Sequence, residues 1–177
     1  MRRRSPTPPE KALLLIGTLF SDDASFVKAQ QVLEETFGEI IMESPVIPWN
    51  FSEHYKQELG EPIYRKFLFF KNLIDQDQLA SIKLKTFEIE NNLSIDGKRT
   101  INIDPGYLTL AKLVLATTKD YSHRLYLGQG VYAEVTLIYN KEGRFVPLPN
   151  TYRDFQDERY QKTFLMARML LYALLGR

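Results

Sequence analysis

Hydrophobic and polar residues follow two different periods along this chain, and the changes of period mark out its elements. "ALLLIGTL" (12–19) is a continuous apolar run, the pattern of a strand buried on both faces. Ser21, Asp22 and Asp23 then offer helix caps. Phe26, Ala29, Leu33 and Phe37 recur at helical spacing, and Gly38 supplies a stop. "EIIMESPVI" (39–47) predicts a second strand ended or broken by Pro45, followed over 48–62 by a loop with one short helical turn. In "IYRKFLFFK" (63–71), Ile63, Arg65, Phe67 and Phe69 fall on one side of a strand, and Tyr64, Lys66, Leu68 and Phe70 on the other. Asp75 or Asp77 caps a helix running to about Leu93, with Leu79, Ile82, Thr86, Ile89 and Leu93 on its inner stripe. "DGKR" (96–99) turns the chain into the strand "TINID". The order is β-α-β-β-α-β, the split arrangement of ferredoxin-like folds.

Beyond this point the pattern admits two readings. Asp104 suits a helix N-cap and Pro105 a first helical position, with Leu108, Ala111 and Leu115 at helical spacing to about Thr117. A buried strand is the alternative for "LVLATT" (113–118). "HRLYLGQGVYAEVTLIYN" (123–140) reads as a β-hairpin with Gly128, Gln129 and Gly130 in its loop. "NKEG" (140–143) turns into "RFVPL", so residues 122–148 form a three-stranded meander. A last helix, from about Asp154 to Leu175, is apolar nearly all round and reads as buried. The expected fold is α+β: a mixed or antiparallel sheet with a ferredoxin-like first half, a central helix, the meander and a C-terminal helix. Residues 1–11, rich in Arg and Pro, read as a disordered tail, and residues 12–177 as a single domain.

Composition narrows the function classes. The 23 basic and 22 acidic residues nearly cancel, unlike a domain built chiefly to neutralise nucleic-acid phosphates. The absence of cysteine excludes disulfides, thiolate metal sites and a Cys nucleophile, and fits a cytoplasmic location. No apolar run approaches the ~20 residues needed to span a bilayer, so no membrane partner is expected. There is no G-x-x-x-x-G-K-[ST], no G-x-S-x-G and no H-E-x-x-H. Gly128 and Gly130 lie in a hairpin rather than a strand-to-helix turn, so they form no dinucleotide fingerprint. No metal site is expected.

The hairpin register makes one geometric statement. With residues 128–130 as the loop, Arg124 lies opposite Glu134 and Tyr126 opposite Tyr132 on one face, and His123 falls on the core side. The Arg124–Glu134 pair is either a cross-strand ion pair or a guanidinium held by a carboxylate and aimed at an anionic ligand. Lys119 and His123 complete a polar cluster suited to phosphate, with His123 a candidate acid or base. Asp104 is either a cap or an acceptor for a ribose hydroxyl or a metal. Lys112 either points into a cleft or snorkels to the surface. These residues favour a small-molecule binding protein or enzyme acting on an anionic ligand, a nucleotide or phosphorylated compound, with no cofactor indicated. A non-catalytic module binding protein or RNA through Tyr126, Tyr132, Trp49 and Phe51 is the alternative.

"IGTLFS" (16–21), "HYKQELG" (54–60), "IDPGYLTLAKLVLATTKDYSHRLYLGQGVYAEVTL" (103–137) and "PNTYRDF" (149–155) together resemble an uncharacterised family of bacterial proteins of about this size, a domain of unknown function. The resemblance covers nearly everything after the tail. Members are often described as GTP-binding, a property this chain's lack of a P-loop does not support. The resemblance supplies no activity and no catalytic residues.

Overall fold

The computed structural model describes residues 5–177. The expected tail lies in part on residues 1–4, outside the described residues. The rest of it carries no helix or strand until the Ala12 bridge, although Lys11 pairs with Asp75 and Glu10 with Arg177.

The chain runs β1 (Leu13–Phe20), α1 (Asp23–Phe37), β2 (Ile40–Glu43), β3 (Ile47–Trp49), α2 (Glu53–Leu59), β4 (Ile63–Phe70), α3 (Leu79–Leu93), β5 (Ile101–Leu108), β6 (Lys112–Thr117), β7 (Leu125–Gly128), β8 (Val131–Tyr139), β9 (Phe145–Pro147) and α4 (Glu158–Leu174). A 3-10 turn at Arg153–Gln156 precedes α4. The nine strands form one antiparallel sheet in the order β2-β4-β1-β5-β6-β8-β7, with β3 also on β4 and β9 also on β8. The segment β2-β4-β1-β5 is the ferredoxin-like half expected from the sequence. Pro45 divides the second predicted strand into β2 and β3, both paired to β4.

Both faces of the sheet centre are covered. Leu14, Ile16 and Phe20 of β1 pack with Phe26, Ala29 and Leu33 of α1 and Leu79, Ile82 and Ile89 of α3. Leu13 and Leu15 face the other way, with Phe67 and Phe69 of β4 and Tyr160, Phe164, Ala167 and Leu171 of α4. This double cover is why β1 reads as an unbroken apolar run.

The segment expected as a central helix is instead the end of β5, a tight turn and β6. Thr109 closes the turn, its hydroxyl accepting from the Ala111 and Lys112 amides at 3.2 and 3.1 Å. In β6, Leu113 and Leu115 face α4 while Val114 and Ala116 face α3. Because both faces are buried, strand alternation leaves no polar signature, and the helical spacing of leucines here is coincidental. Asp104 and Pro105 are therefore neither N-cap nor first helical residue.

The same Asp-Pro-Gly opens the sheet. β5 pairs with β1 from Ile101 to Leu108, but with β6 only from Gly106 to Leu108. The Ile103 amide points away from β1, so by alternation position 105 faces β6 too, where proline has no N–H to offer. Gly106 fits the closing point because a Cβ there would lie 2.4 Å from the Val114 carbonyl oxygen. Beyond it β5 leaves β6, and two side chains of α3 satisfy the freed backbone. Glu90 accepts the Ile103 amide, and the Lys83 ammonium donates to the Ile103 carbonyl at 3.3 Å.

The meander forms as expected, with a tighter hairpin. Gly128 pairs with Val131, leaving Gln129 (φ 55°) and Gly130 (φ 76°) as a two-residue turn and Leu127 as a bulge. Tyr126 still faces Tyr132.

Candidate functional site

Where β5 and β6 part, the α4 face of the sheet holds a cleft of about 590 Å³. Its floor comprises Arg65, Asn102, Asp104, Leu115 and Glu134 from β4, β5, β6 and β8, together with the buried Lys83, Glu90 and Asp154 and the half-buried Arg99. Lys83, Phe87 and Glu90 of α3 enter it, Trp49, Phe51 and Tyr55 wall one part, and Tyr152, Arg153, Asp154 and Phe155 another.

Charge at the floor is dense and largely satisfied. Asp154 Oδ2 accepts from Arg65 Nη2 at 2.9 Å, Trp49 Nε1 at 3.1 Å and the Tyr160 hydroxyl at 3.4 Å. Arg65 is 4% exposed, and its guanidinium lies over the rings of Phe67 and Phe155. Burial works to lower its pKa, but Asp154, Tyr160 and Asp104 outweigh that and raise it, so Arg65 stays charged. Arg99 forms a bidentate bridge to Glu58 (2.9 and 2.6 Å) and donates through Nη1 to Asn102 Oδ1 at 2.9 Å and Glu90 Oε2 at 3.3 Å. Burial raises the Glu90 pKa, against the Ile103 amide, Lys83 and Arg99, which lower it. Burial, then the field of Asp104, also raises the Tyr55 phenol.

Asp104 is more reachable than Arg65, Glu90 and Asp154, its side chain 29% exposed against 4–6% for theirs. Asn102 Nδ2 donates to its Oδ2 at 2.6 Å. Arg65 Nη1 and Lys83 Nζ each stand 3.7 Å from its oxygens, close enough to stabilise the charge and too far for direct hydrogen bonds. Among the described residues, Arg65 Nε and Nη1 have no hydrogen-bond partner.

Glu134 anchors a second cluster. Its Oε2 takes Arg124 Nε at 3.0 Å and His123 Nε2 at 2.9 Å, while its buried Oε1 has no partner among the described residues. Arg124 also donates through Nη1 to the Lys119 carbonyl at 2.9 Å and through Nη2 to the Tyr152 hydroxyl at 2.7 Å. Each guanidinium nitrogen thus already has an acceptor. Arg124 fastens the Lys119 loop and the Tyr152–Arg153 segment to Glu134.

The sequence candidates are only partly assembled. Asp104, Glu134 and Lys119 line the cleft, whereas Arg124 and His123 stand behind Glu134 and do not. His123 was expected on the core side of a strand. It lies in the turn before β7, which lets its half-buried ring and Arg124 reach the same carboxylate. Lys112 starts β6 at the end opposite Thr117, about 16 Å away at ~3.3 Å per residue, and does not line the cleft. Sequence reasoning missed Arg65, Lys83, Glu90, Arg99 and Asp154. Two signals were present: Arg65 shares a strand face with Ile63 and Phe67, and Lys83 and Glu90 lie one heptad apart beside the inner stripe of α3.

Among the described residues no group of three or more His, Asp or Glu is arranged to hold a metal ion, and no helix is long and apolar enough to cross a membrane. The chain belongs to the family described as Domain of unknown function (DUF4416), whose model matches residues 10–170. No curated protein and no solved structure matches it.

Proposed function

We propose that this DUF4416 protein binds an anionic small molecule carrying a flat ring, a nucleotide or similar phosphorylated compound, in the cleft between β5 and β6. One observation carries the reading. Among the described residues, the exposed ones lining the cleft are Phe51, His54, Phe87, Thr118, Lys119, Tyr152 and Arg153, with three large aromatic rings, two permanent cations and no carboxylate. The floor holds four carboxylates against Arg65, Lys83 and Arg99, so an anion is favoured at the rim, between Lys119 and Arg153, and disfavoured below it. Phe51, Phe87 and Tyr152 offer ring faces for stacking. Arg124 is then a positioning residue, holding both basic rim segments through the bonds it makes to them. A thermal-shift screen of nucleotides and sugar phosphates tests this. At least one compound should raise Tm in the wild-type protein and fail to do so in K119A/R153A. No response across the panel would refute the reading.

A non-catalytic interaction module is the second reading, and the edge strand β7 favours it. Leu125, Tyr126 and Leu127 are exposed there, with Tyr121 beside them. Its aromatic set differs from the expected one, because Trp49 is buried and bonded to Asp154 and Tyr132 is half-buried. Specific capture of one macromolecular partner, abolished by L125K/L127K, would support it over the first.

A further inference from the structure

The cleft is electrically divided. Its mouth is basic and its floor carries the accessible carboxylate of Asp104 and the buried Glu134, whose Oε1 has no partner among the described residues. A phosphate on the floor would face carboxylates as well as cations, since Glu90, Asp104, Glu134 and Asp154 line the cleft alongside Arg65, Lys83 and Arg99. The group that fits beside Asp104 must donate a hydrogen bond.

It must also accept one. Lys83 Nζ and Arg65 Nη1 stand 3.7 Å from the Asp104 oxygens, and Arg65 Nη1 has no hydrogen-bond partner among the described residues. A methyl or an ether could not use that carboxylate, and an ammonium would meet two cations. A hydroxyl both donates and accepts, so it can give its proton to Asp104 and take one from Lys83 or Arg65. Asn102 supports the arrangement. Its amide oxygen is fixed by Arg99 at 2.9 Å, which aims its amide nitrogen at Asp104 Oδ2 and leaves Oδ1 without a close donor.

We infer that Asp104, oriented by Asn102 and flanked by Lys83 and Arg65, reads a sugar hydroxyl, so that the ligand is a ribonucleotide or a polyhydroxylated sugar phosphate rather than a bare polyanion. The inference rests on the reading of the cleft as an anion site and adds its polarity: phosphate at Lys119 and Arg153, sugar hydroxyls on the floor. A nucleotide suits this division, because its sugar lies between the ring that stacks and the phosphate.

The test compares adenosine 5′-monophosphate with its 2′,3′-dideoxy form by calorimetric titration of the full chain. The two share ring and phosphate, so only the hydroxyls are read. The ribonucleotide should bind about 10-fold or more tightly, the scale of a hydrogen bond to a charged acceptor. D104N, which keeps the side-chain shape, should reduce that ratio while still binding both. Equal affinities in the wild-type protein overturn the hydroxyl assignment and leave the rim reading standing. A wild-type preference that D104N keeps in full moves the assignment away from Asp104. Binding of neither nucleotide overturns the ribonucleotide assignment, and the rim reading falls with it only if no compound of the thermal-shift panel raises Tm. The wild-type comparison needs no variant, so it decides even if D104N does not fold.

Discussion

Removing the Asp154 carboxylate should be among the most damaging single changes in the site. Asp154 Oδ2 serves Arg65, Trp49 and Tyr160 at once, and the Asp154 and Arg65 side chains are 6% and 5% exposed. D154A would leave a buried guanidinium whose remaining carboxylate neighbour, Asp104, is 3.7 Å away and partly in solvent. Breaking one partner of a buried ion pair costs about 3–5 kcal/mol. For a chain of this length that corresponds to a fall in Tm of roughly 6–20 °C. Urea denaturation followed by far-UV circular dichroism measures the loss, and the fluorescence of Trp49, the sole tryptophan, reports its indole bond directly. D154N, which keeps an acceptor but not the charge, should lose less. R65M/D154L, which replaces the pair by apolar groups, should lose less than D154A because no buried charge is left alone, although Trp49 and Tyr160 still lose their acceptor. If that variant is stable and binds nucleotide poorly, the pair is kept for the cleft rather than for the fold. D154A within about 1 kcal/mol of wild type would refute the account of how Arg65 is held.

Three further outcomes follow from the same geometry. G106A places a Cβ 2.4 Å from the Val114 carbonyl oxygen and 2.8 Å from Leu115 Cδ2, and should cost about 1–3 kcal/mol in urea unfolding. Burial raises the Glu90 pKa, so this carboxyl binds its proton more tightly folded than unfolded. Its contribution is fully present below the ordinary value of 4.5 and is lost as pH rises through the higher native value. Wild-type Tm should therefore fall relative to E90Q between pH 4 and pH 8, and parallel curves would contradict the assignment. K112A should leave nucleotide affinity unchanged in titration, because Lys112 lies at the far end of β6 from the cleft.

The first half of the fold was legible because its signals are local. Asp22 caps α1 through the Ser25 amide at 2.8 Å, Gly38 ends it at φ 97°, and the strands read from their own apolar runs. Residues 104–117 are ambiguous in the sequence, because burial on both faces removes the polar half of the strand pattern and leaves leucine spacing that also suits a helix. Arg124 and Glu134 could be paired from hairpin numbering because both sit close to one turn. The floor could not be read in the same way. Arg65, Glu90, Asn102 and Asp154 come from four elements, and the contact between Arg65 and Asp154 spans 89 positions. What joins them is the departure of β5 from β6. Pro105 and Gly106 produce that departure, and in the sequence they looked like the start of a helix.

The most direct test of the central claim is calorimetric titration of the wild-type chain and K119A/R153A with the nucleotide that most raises Tm. The account predicts binding that weakens by at least about 10-fold in the double variant and falls with added salt, since the rim cations meet the phosphate near solvent. Equal affinity in the two proteins, insensitive to salt, would contradict it.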